Sequence, residues 1–438
     1  MNKIKVIFIL PHLPYELGLS GHRPEEIFVN EETGVWKLAD CKFGWVGFFN
    51  ADHHVQSALA LKNQTDEFEI ECWRPYGYGL KEMESSKSLG ITHRVFPAHK
   101  ANFPKLGSMT WSENLFNFLK SELVANQKMI LNITVGHAWF HIRLMLLLKG
   151  YKSRLPIIAV HRSGGFRSVS FQRFPLWKKL FKWNYLIETW FDRKSLEIAD
   201  TYFVGTQLEV DYIRSKHWPI NAVFHMDGVD FDRYRVLNKE EKSVLRETLH
   251  LPLDKNLFIV SGNWSSKDYA YRTLLEVYRE IKESGKAENL QLIMIGGSKG
   301  EDLYQMAIEV GAIMVEKTSK SNFILYLESS DFYGQPNLDF GFITFGGFGV
   351  AMIEALACGM PVISNNVLHF PGSELERNEL GIECKTAGAL RDSILYMNEH
   401  FKEFKNTRRI ARKYYDLSKT ENTLLFEYRR LMGKYYCS

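Results

Sequence analysis

The chain has 438 residues, of which 45% are hydrophobic and 24% charged, and its formal net charge at pH 7 is +4. This length provides for two domains with complete cores, and the composition is that of an ordinary globular protein. The weak net charge and the lack of a long basic run argue against nucleic acid as a partner. Five scattered cysteines without a C-x-x-C spacing indicate neither a zinc site nor a redox pair, and they favour a reducing cytoplasm.

The N-terminal part of the sequence predicts a strand, a long interruption and a helix. Residues 3–10 alternate into an apolar run, which predicts the first β-strand. The stretch 11–43, with its Gly, Pro and Glu clusters, predicts an insertion or an extended loop. Gly44 and Gly47 follow, ahead of a helix predicted at about 51–62. Loop glycines before a helix allow a phosphate group to approach, although the aromatic neighbours make packing an equally good explanation.

Histidines follow two of the next predicted strands. His137 and His141 come after the strand at 129–135, at a helical spacing that suits two metal ligands, but no third ligand is evident and core packing is preferred. His161 follows the buried strand predicted at 156–160. Binding sites of α/β sheets form at the carboxyl ends of parallel strands. We therefore predict a site role for His161, with a packed core or loop histidine as the alternative.

Residues 174–187 begin a long helical pattern that extends to 199. Its aromatic residues, Trp177, Phe181 and Trp183, alternate with lysines, a composition typical of a helix in a membrane interface. A core-packing helix with a solvated lysine face explains the same pattern. The apolar runs of the sequence are far too short to cross a membrane. We expect a cytoplasmic protein that is either soluble or peripheral at the inner face of a membrane through 174–187.

A second α/β series begins after the charged stretch 238–246, which is typical of a linker. Its first strand is predicted at 257–261, and the loop that follows contains Asn263 and ends at Lys267, where a helix begins. A lysine at such a loop-to-helix junction is a suitable counter-charge for a diphosphate. An ordinary surface lysine is the alternative.

The most informative stretch covers residues 345–366, FGGFGVAMIEALACGMPVISNN. It predicts a glycine-rich loop, an apolar helix from about Val350 to Cys358, and a strand at 361–364. The loop contains Gly346, Gly347, Phe348 and Gly349. A glycine loop at a helix N-terminus presents free N–H groups and the positive end of the helix dipole, which favours a phosphate ligand.

Glu354 is the only charged residue of that predicted helix. A lone carboxylate on an apolar helix needs a partner, and sugar hydroxyls are suitable ones. The glycine spacing is neither the dinucleotide fingerprint nor the P-loop. From the residues alone, an ordinary loop–helix–strand unit of an α/β sheet is an equally good interpretation.

The run GGFGVAMIEALACGMPVI resembles the signature of the retaining GT-B glycosyltransferases of the family 4 type, also called glycosyl transferases group 1. The matching residues are Gly347, Phe348, Gly349, Glu354, Ala355, Ala357, Gly359, Pro361, Val362 and Ile363. Gly346 stands where that signature has its first glutamate. The resemblance extends to most of the chain, but only residues 345–363 are strongly specific.

The resemblance implies roles for residues of the second domain. In such enzymes the first glutamate contacts the donor sugar and the second the ribose, so Glu354 is expected to bind ribose while the handling of the sugar is altered at Gly346. The loop after the first strand of the second domain supplies an Arg and a Lys to the donor diphosphate. Lys267 corresponds to that Lys, and Asn263 takes the place of the Arg. The glycine loop and Val350 are expected to bind the donor as well.

In the first domain, the resemblance assigns His161 to a position that faces the donor sugar, and Gly44 and Gly47 to a donor-binding glycine loop. The fold it implies is α/β GT-B, with two doubly wound Rossmann-like domains facing a cleft. We expect an acceptor-side domain at 1–237 and a nucleotide-sugar domain at 238–415. A C-terminal helix at 416–438 is expected to be able to pack back on the first domain.

The expected reaction moves a sugar from a nucleotide sugar to a hydroxyl of a glycan or lipid-linked acceptor, with retention, as in polysaccharide biosynthesis. No metal or other cofactor is expected, and catalysis would depend on holding the diphosphate leaving group, with His161, Lys267 and Glu354 as the key residues. The departures at Gly346 and Asn263 leave one alternative, a catalytically impaired relative that binds glycan or acts as a scaffold. A GT-B sugar isomerase is favoured less, because no further acid–base set stands beside Glu354.

Overall fold

The structure is a computed structural model of the whole chain, and the parts of the chain that it describes are separated by gaps. They are residues 3–10, 28–29, 36–37, 53–76, 81–103, 107–125, 128–135, 139–153, 155–161, 196–225, 228–262, 269–297, 302–316, 320–335, 349–365 and 370–436, with isolated positions at 176, 186, 190, 193–194, 318 and 367. The chain divides into two compact units. Unit 1 holds the described residues of Met1–Glu31, Trp36–Asp227 and Ser418–Ser438, and unit 2 those of Gly228–Leu417.

The strands of unit 1 are β1 (Ile4–Ile9), β2 (Phe28–Val29), β3 (Trp36–Lys37), β4 (Phe68–Tyr76), β5 (Glu84–Ser88), β6 (Ile91–Pro97), β7 (His99–Phe103), β8 (Gly107–Trp111), β9 (Met129–Val135), β10 (Ile157–His161), β11 (Thr201–Val204) and β12 (Ala222–Phe224). Its helices before residue 227 are α1 (His53–Gln64), α2 (Glu113–Val124), α3 (Trp139–Leu148) and α4 (Gln207–Ser215).

The main sheet of unit 1 has eight strands in the order β12-β11-β10-β9-β1-β4-β6-β5. All its pairings are parallel except that of β5 with β6. All six residues of β1 are buried, as is typical of a central strand covered on both faces. The remaining strands form two small antiparallel pairs, β2 with β3 and β7 with β8.

The strands of unit 2 are β13 (Asn256–Ser261), β14 (Leu290–Gly297), β15 (Ile313–Glu316), β16 (Phe332–Gln335), β17 (Val362–Ser364) and β18 (Gly381–Glu383). Its helices are α5 (Lys239–Thr248), α6 (Tyr269–Glu283), α7 (Asp302–Glu309), α8 (Lys320–Ser329), α9 (Val350–Ala357), α10 (Glu374–Asn378), α11 (Ala387–His400) and α12 (Thr407–Tyr415). The six strands form one sheet in the order β15-β14-β13-β16-β17-β18, and every pairing is parallel. Two doubly wound parallel-sheet domains are thus confirmed.

Unit 2 begins at Gly228 rather than at 238, because hydrogen bonds tie the intervening segment to α12. The Arg408 guanidinium donates to the carbonyl oxygens of Phe231, at 2.8 Å, and of Tyr234, at 2.7 Å. The amide of Val229 donates to the carbonyl of Tyr415 at 2.9 Å.

The last helix, α13 (Leu417–Tyr436), belongs to unit 1 in all but its first residue. Asn132 of β9 donates to the Tyr428 hydroxyl at 2.7 Å, and the Thr201 hydroxyl donates to Glu427 at 2.8 Å. The side chains of Leu424, Tyr428 and Leu431 are fully buried. The C-terminal helix therefore completes the core of unit 1.

Candidate functional site

The candidate site lies at the carboxyl ends of the two central strands of unit 2. β13 and β16 are neighbours in the sheet, with Ile259 opposite Tyr333, and the order of strands reverses between them. Doubly wound sheets bind ligands outside the carboxyl ends of the strands at such a switch point. The chain leaves β13 toward Asn263 and Lys267, and it leaves β16 toward the glycine-rich loop. Both loops that the sequence predicts to bind a donor thus start from this point.

Five of the predicted site residues in these two loops lie outside the described residues. They are Asn263, Lys267, Gly346, Gly347 and Phe348. The structure therefore gives the strands and the helix that hold these loops, together with Gly349, Val350 and Glu354.

Gly349 is the N-cap of α9, and α9 starts at Val350 as the sequence predicts. Because glycine has no side chain, no side-chain cap occupies the first N–H groups of the helix. A Cβ atom at this position would lie 2.8 Å from the amide nitrogen of Gln335, the end of a flexible side chain that would have to shift. No side chain among the described residues caps this end of α9, so its N–H groups keep their capacity to bind an anion.

Glu354 is buried one turn into α9, with 3% of its surface exposed. Its Oε1 atom accepts a hydrogen bond from the Lys320 ammonium at the start of α8, and its carboxylate is also hydrogen-bonded with the Tyr234 hydroxyl. Burial, followed by the negative charge of Glu354, raises the pKa of Tyr234 above its ordinary value. The carboxylate that looks isolated in the sequence thus has two protein partners, which offset its desolvation.

Lys320 and Tyr234 are site residues that sequence reasoning missed. They are separated from Glu354 by 34 and 120 positions along the chain, and no motif spacing links them to it. The backbone of Tyr234 is held by Arg408, which also donates to the Ala357 carbonyl at the end of α9. Arg408 therefore fixes Tyr234 and α9 relative to each other.

Side-chain and backbone contacts hold the carboxyl end of β13 in place beside the site. The Ser261 and Tyr333 hydroxyls are 2.9 Å apart, and the Tyr271 hydroxyl donates to the Ser261 carbonyl at 3.0 Å. Burial raises the pKa of Tyr333. Gly296, with a φ of +109°, lies against Gly262, where a Cβ atom would overlap the Gly262 carbonyl oxygen. These contacts fix the point from which the loop of Lys267 departs.

The candidate residues of unit 1 are only partly described. His161 is the last residue of β10, in register with Val135 and Val204, and its side chain is outside the description. Gly44, Gly47 and His137 lie outside the described residues.

The predicted membrane segment 174–187 is described only at Leu176 and Leu186, so Trp177, Phe181 and Trp183 lie outside the described residues. Within the described ranges, no helix is both long enough and apolar enough to span a membrane. The same ranges contain no group of three or more His, Cys, Asp or Glu side chains that could hold a metal ion.

Part of the chain resembles a known protein family, and the whole chain resembles known folds. Residues 241–414 match the family model described as Glycosyl transferases group 1. The D-inositol 3-phosphate glycosyltransferase of Mycobacterium leprae is 23% identical to this chain over 192 residues. That match covers 41% of this chain and 41% of the relative.

Solved structures of other proteins resemble the whole chain, and two of them serve as examples. Sucrose-phosphate synthase from Thermosynechococcus elongatus has a TM-score of 0.64 at 14% identity, over 99% of this chain and 100% of that one. HepE from Anabaena, solved in complex with UDP, has a TM-score of 0.58 at 12% identity, over 98% and 100%. These likenesses show that the chain has the GT-B fold, as the sequence predicts.

The family match runs from within α5 to within α12, so it includes Lys320, Glu354 and both predicted donor loops but not Tyr234. The family model and the fold say what this chain is similar to: residues 241–414 resemble group 1 glycosyl transferases, and the whole chain has the GT-B fold. They do not favour the alternative of a non-catalytic relative.

Proposed function

We propose that this protein transfers a sugar from a nucleotide-sugar donor to a hydroxyl of a glycan or lipid-linked acceptor, with retention of configuration. The observation that carries the proposal is the buried carboxylate of Glu354, one turn into α9 and beside the switch point of unit 2. It lies within the most specific part of the family signature, and the relatives with this fold include a protein solved with UDP.

In this proposal the donor nucleotide lies across the loops that follow β13 and β16. Glu354 accepts hydrogen bonds from the ribose hydroxyls. A carboxylate has about four acceptor positions, and Lys320 and Tyr234 occupy two of them, so positions are left for the ribose. Lys320 and Tyr234 then act as positioning residues, because they hold the carboxylate in one orientation.

The diphosphate is held by Lys267, by the glycine-rich loop and by the N-terminus of α9 at Gly349 and Val350. These groups stabilise the negative charge that develops on the leaving diphosphate, which is the main requirement of the reaction. Because they supply that stabilisation, we propose that no metal is needed. On the family resemblance, His161 contacts the donor sugar, and Asn263, Gly44 and Gly47 approach the donor.

The proposal is tested by incubating the protein with UDP, ADP, GDP and their sugar conjugates, measuring thermal shifts and then sugar transfer or donor hydrolysis. A ligand at 100 times its dissociation constant stabilises a protein by about 2.7 kcal/mol, which a thermal shift detects. One nucleotide series is expected to stabilise the protein, and its sugar conjugate is expected to turn over. Nucleotide binding without any turnover would instead support a binding or scaffold protein, and no binding by any of the three series would overturn the proposal.

A further inference from the structure

Unit 2 has a second concave site, at the edge of its sheet opposite the candidate donor site. A cavity of about 680 Å³ lies there, lined by Asp331 and Pro361, which come directly before β16 and β17. Its other walls are formed by residues near the C-terminus of α9 and by the segment from Phe401 to Arg412. This volume is in the range that holds small-molecule ligands.

The lining is strongly basic. Its cations are Lys242, Lys402, Lys405, Arg408, Arg409 and Arg412, and its one acidic residue is Asp331. The Asp331 carboxylate accepts from Lys242 at 3.1 Å and from Arg246 at 2.7 Å. It also accepts from the amide of Leu257 at 2.8 Å. Its charge is therefore already balanced by protein groups.

Three of the lining cations are committed to the structure of unit 2. Lys242 binds Asp331, Arg408 donates to backbone carbonyls, and Arg412 pairs with Asp232 and Asp416 at 2.9 Å each. These contacts give each of the three a structural role, so their presence in the lining does not by itself indicate a ligand.

The other three cations, Lys402, Lys405 and Arg409, are exposed and have no carboxylate partner in the part of the chain that the structure describes. Arg409 donates to the Asn406 side chain at 3.3 Å, and the Lys402 ammonium lies 5.5 Å from the centre of the Phe401 ring. Three unpaired positive charges around one cavity repel each other, and an anion that binds between them relieves that repulsion.

The cavity also has an apolar wall, made by Val236, Phe401 and Phe404. Val236 is 58% exposed, which leaves a large apolar side chain available for contact. The apolar side of α12, with Ile410 and Ala411, is buried in the protein and cannot enter a lipid bilayer. The cavity therefore suits a small ligand with an anionic group at one end and an apolar part at the other better than it suits a membrane surface.

We propose that this cavity binds a small phosphate ester, at a site separate from the donor site. Lys402, Lys405 and Arg409 bind the phosphate, because Lys and Arg are the usual charged donors to phosphate oxygens. The organic part of the ester packs against Val236 and Phe401. Burial raises the pKa of the Cys358 thiol in the lining, so this cysteine contributes a small apolar side chain rather than a nucleophile.

The test is calorimetric titration of the full chain with glucose 1-phosphate, inorganic phosphate and glucose. The variant that tests the site is the triple change Lys402→Ala, Lys405→Ala and Arg409→Ala. The control is the triple change Arg279→Ala, Lys282→Ala and Lys286→Ala, which removes the same exposed charges from a part of unit 2 that does not line the cavity. All six side chains are exposed, so both variants are expected to keep the wild-type unfolding midpoint.

Glucose 1-phosphate is expected to bind the wild-type protein and to bind the cavity variant at least tenfold more weakly, with less than a twofold change for the control. Glucose is expected not to bind at the cavity, and UDP affinity is expected to stay unchanged in the cavity variant. Equal affinity of wild type and cavity variant for glucose 1-phosphate, or no binding to the wild type at all, would overturn the proposal. UDP titration of Glu354→Gln reports on the donor site alone, so failure at one site is distinguishable from failure at the other.

A lipid source of the phosphate is examined with sedimentation of vesicles of phosphatidylglycerol, and of phosphatidylcholine as the neutral control. If glucose 1-phosphate displaces the protein from the anionic vesicles, the cavity recognises the shared phosphate chemistry and the proposal stands. Binding to anionic vesicles that depends on the three cations and that glucose 1-phosphate cannot displace would show an electrostatic membrane contact, and the small-ester proposal would be wrong.

Discussion

Glu354 is the residue on which the candidate site depends most. Its carboxylate is nearly fully buried and is hydrogen-bonded to the Lys320 ammonium and the Tyr234 hydroxyl. Lys320 is about half exposed at its side chain, whereas Glu354 has 4% of its side chain exposed. Lys320 is therefore the member of the pair that a ligand can reach from the solvent side. This asymmetry distinguishes the pair from a fully buried structural ion pair.

Glu354→Gln is expected to weaken UDP binding by about tenfold to a hundredfold. The change keeps the shape but replaces an acceptor oxygen with a donor nitrogen, and a hydrogen bond to a charged group is worth roughly 1.5 to 3 kcal/mol. Isothermal titration calorimetry with UDP measures the loss. Glu374→Gln is the matched control, because Glu374 is an exposed glutamate at the start of another helix of unit 2.

Lys320→Met tests whether Lys320 affects UDP binding by positioning the Glu354 carboxylate rather than through the stability of the fold. Because the buried Glu354 carboxylate keeps only Tyr234 of its two partners, losing Lys320 is expected to cost about 1 to 3 kcal/mol of unfolding free energy, a loss that should leave the protein folded. UDP affinity should nevertheless fall, and the loss should be smaller in the background of Glu354→Gln than in the wild type. Additive losses would show that Lys320 does not act through Glu354.

At the scale of elements, the sequence predicts the parts of unit 2 whose signal is local. The expected strand at 257–261 is β13, and the expected helix from Val350 to Cys358 is α9. A glycine loop, an apolar run and a Gly–Pro stop are enough to define such a unit. The pairing of β13 with β16 is not predictable in this way, because Phe258 and its partner Phe332 are separated by a large part of the domain.

The partners of Glu354 and the basic cavity escape sequence reasoning for the same physical reason. Lys320 meets Glu354 only because α8 and α9 are brought together by the sheet. The cavity is assembled from Val236, Asp331, Cys358 and the segment around Arg409. Contacts of this kind depend on topology, whereas spacing along the chain reports only neighbours within one element.

Lys267→Ala tests the loop between β13 and α6. The change is expected to weaken binding of UDP much more than binding of uridine, because the lysine acts on the diphosphate charge. Turnover should fall together with affinity, since the same charge grows on the leaving group. Calorimetry with uridine, UMP and UDP makes the comparison, with Lys286→Ala as the control. Equal losses for uridine and UDP would remove Lys267 from the phosphate site.

Helix α13 should contribute to the stability of unit 1 through its buried face. Leu424 is fully buried, whereas Phe426 on the same helix is 65% exposed. Leu424→Ala is expected to lower the unfolding free energy of unit 1 by about 2 to 5 kcal/mol, and Phe426→Ala by less than about 0.5 kcal/mol. Hydrogen exchange of β9, where Asn132 donates to Tyr428, reports the change in unit 1 itself. Equal effects of the two changes would show that α13 is not part of that core.

On the scale of the whole molecule, the two units share one plan. The order of strands reverses between β1 and β9 in unit 1, as it does between β13 and β16 in unit 2. In the sequence, Gly44 and Gly47 come after β3 and before α1, and Gly262 comes between β13 and α6, so each unit has glycines between its first central strand and a following helix. The chain adds α13 to unit 1 only after unit 2 is complete, so the core of unit 1 includes residues from both ends of the sequence.

Unit 1 also contains a buried acid that makes its stability depend on pH. Glu209 of α4 is 1% exposed, and burial raises its pKa from 4.5 to about 8, while a hydrogen bond with the Tyr202 hydroxyl acts in the opposite direction. The folded state therefore holds a proton on Glu209 where the unfolded state has lost it. Between about pH 4.5 and 8 the folded state binds more protons, so its stability falls as the pH rises.

Glu209→Gln is expected to stabilise unit 1 at pH 8 by about 1 kcal/mol or more, and to leave it nearly unchanged at pH 4.5. The amide has the shape of the protonated acid and still accepts from Tyr202, but it carries no charge to desolvate, and one pKa unit corresponds to about 1.36 kcal/mol. Urea unfolding at several pH values, followed by hydrogen exchange of β11 and α4, measures the difference between the two proteins. Asp211→Asn is the control, because Asp211 lies exposed on the same helix and accepts a hydrogen bond from the nearby Gln207 side chain at 2.9 Å. A difference between wild type and Glu209→Gln that stays constant over this pH range would show that Glu209 titrates normally in the folded state.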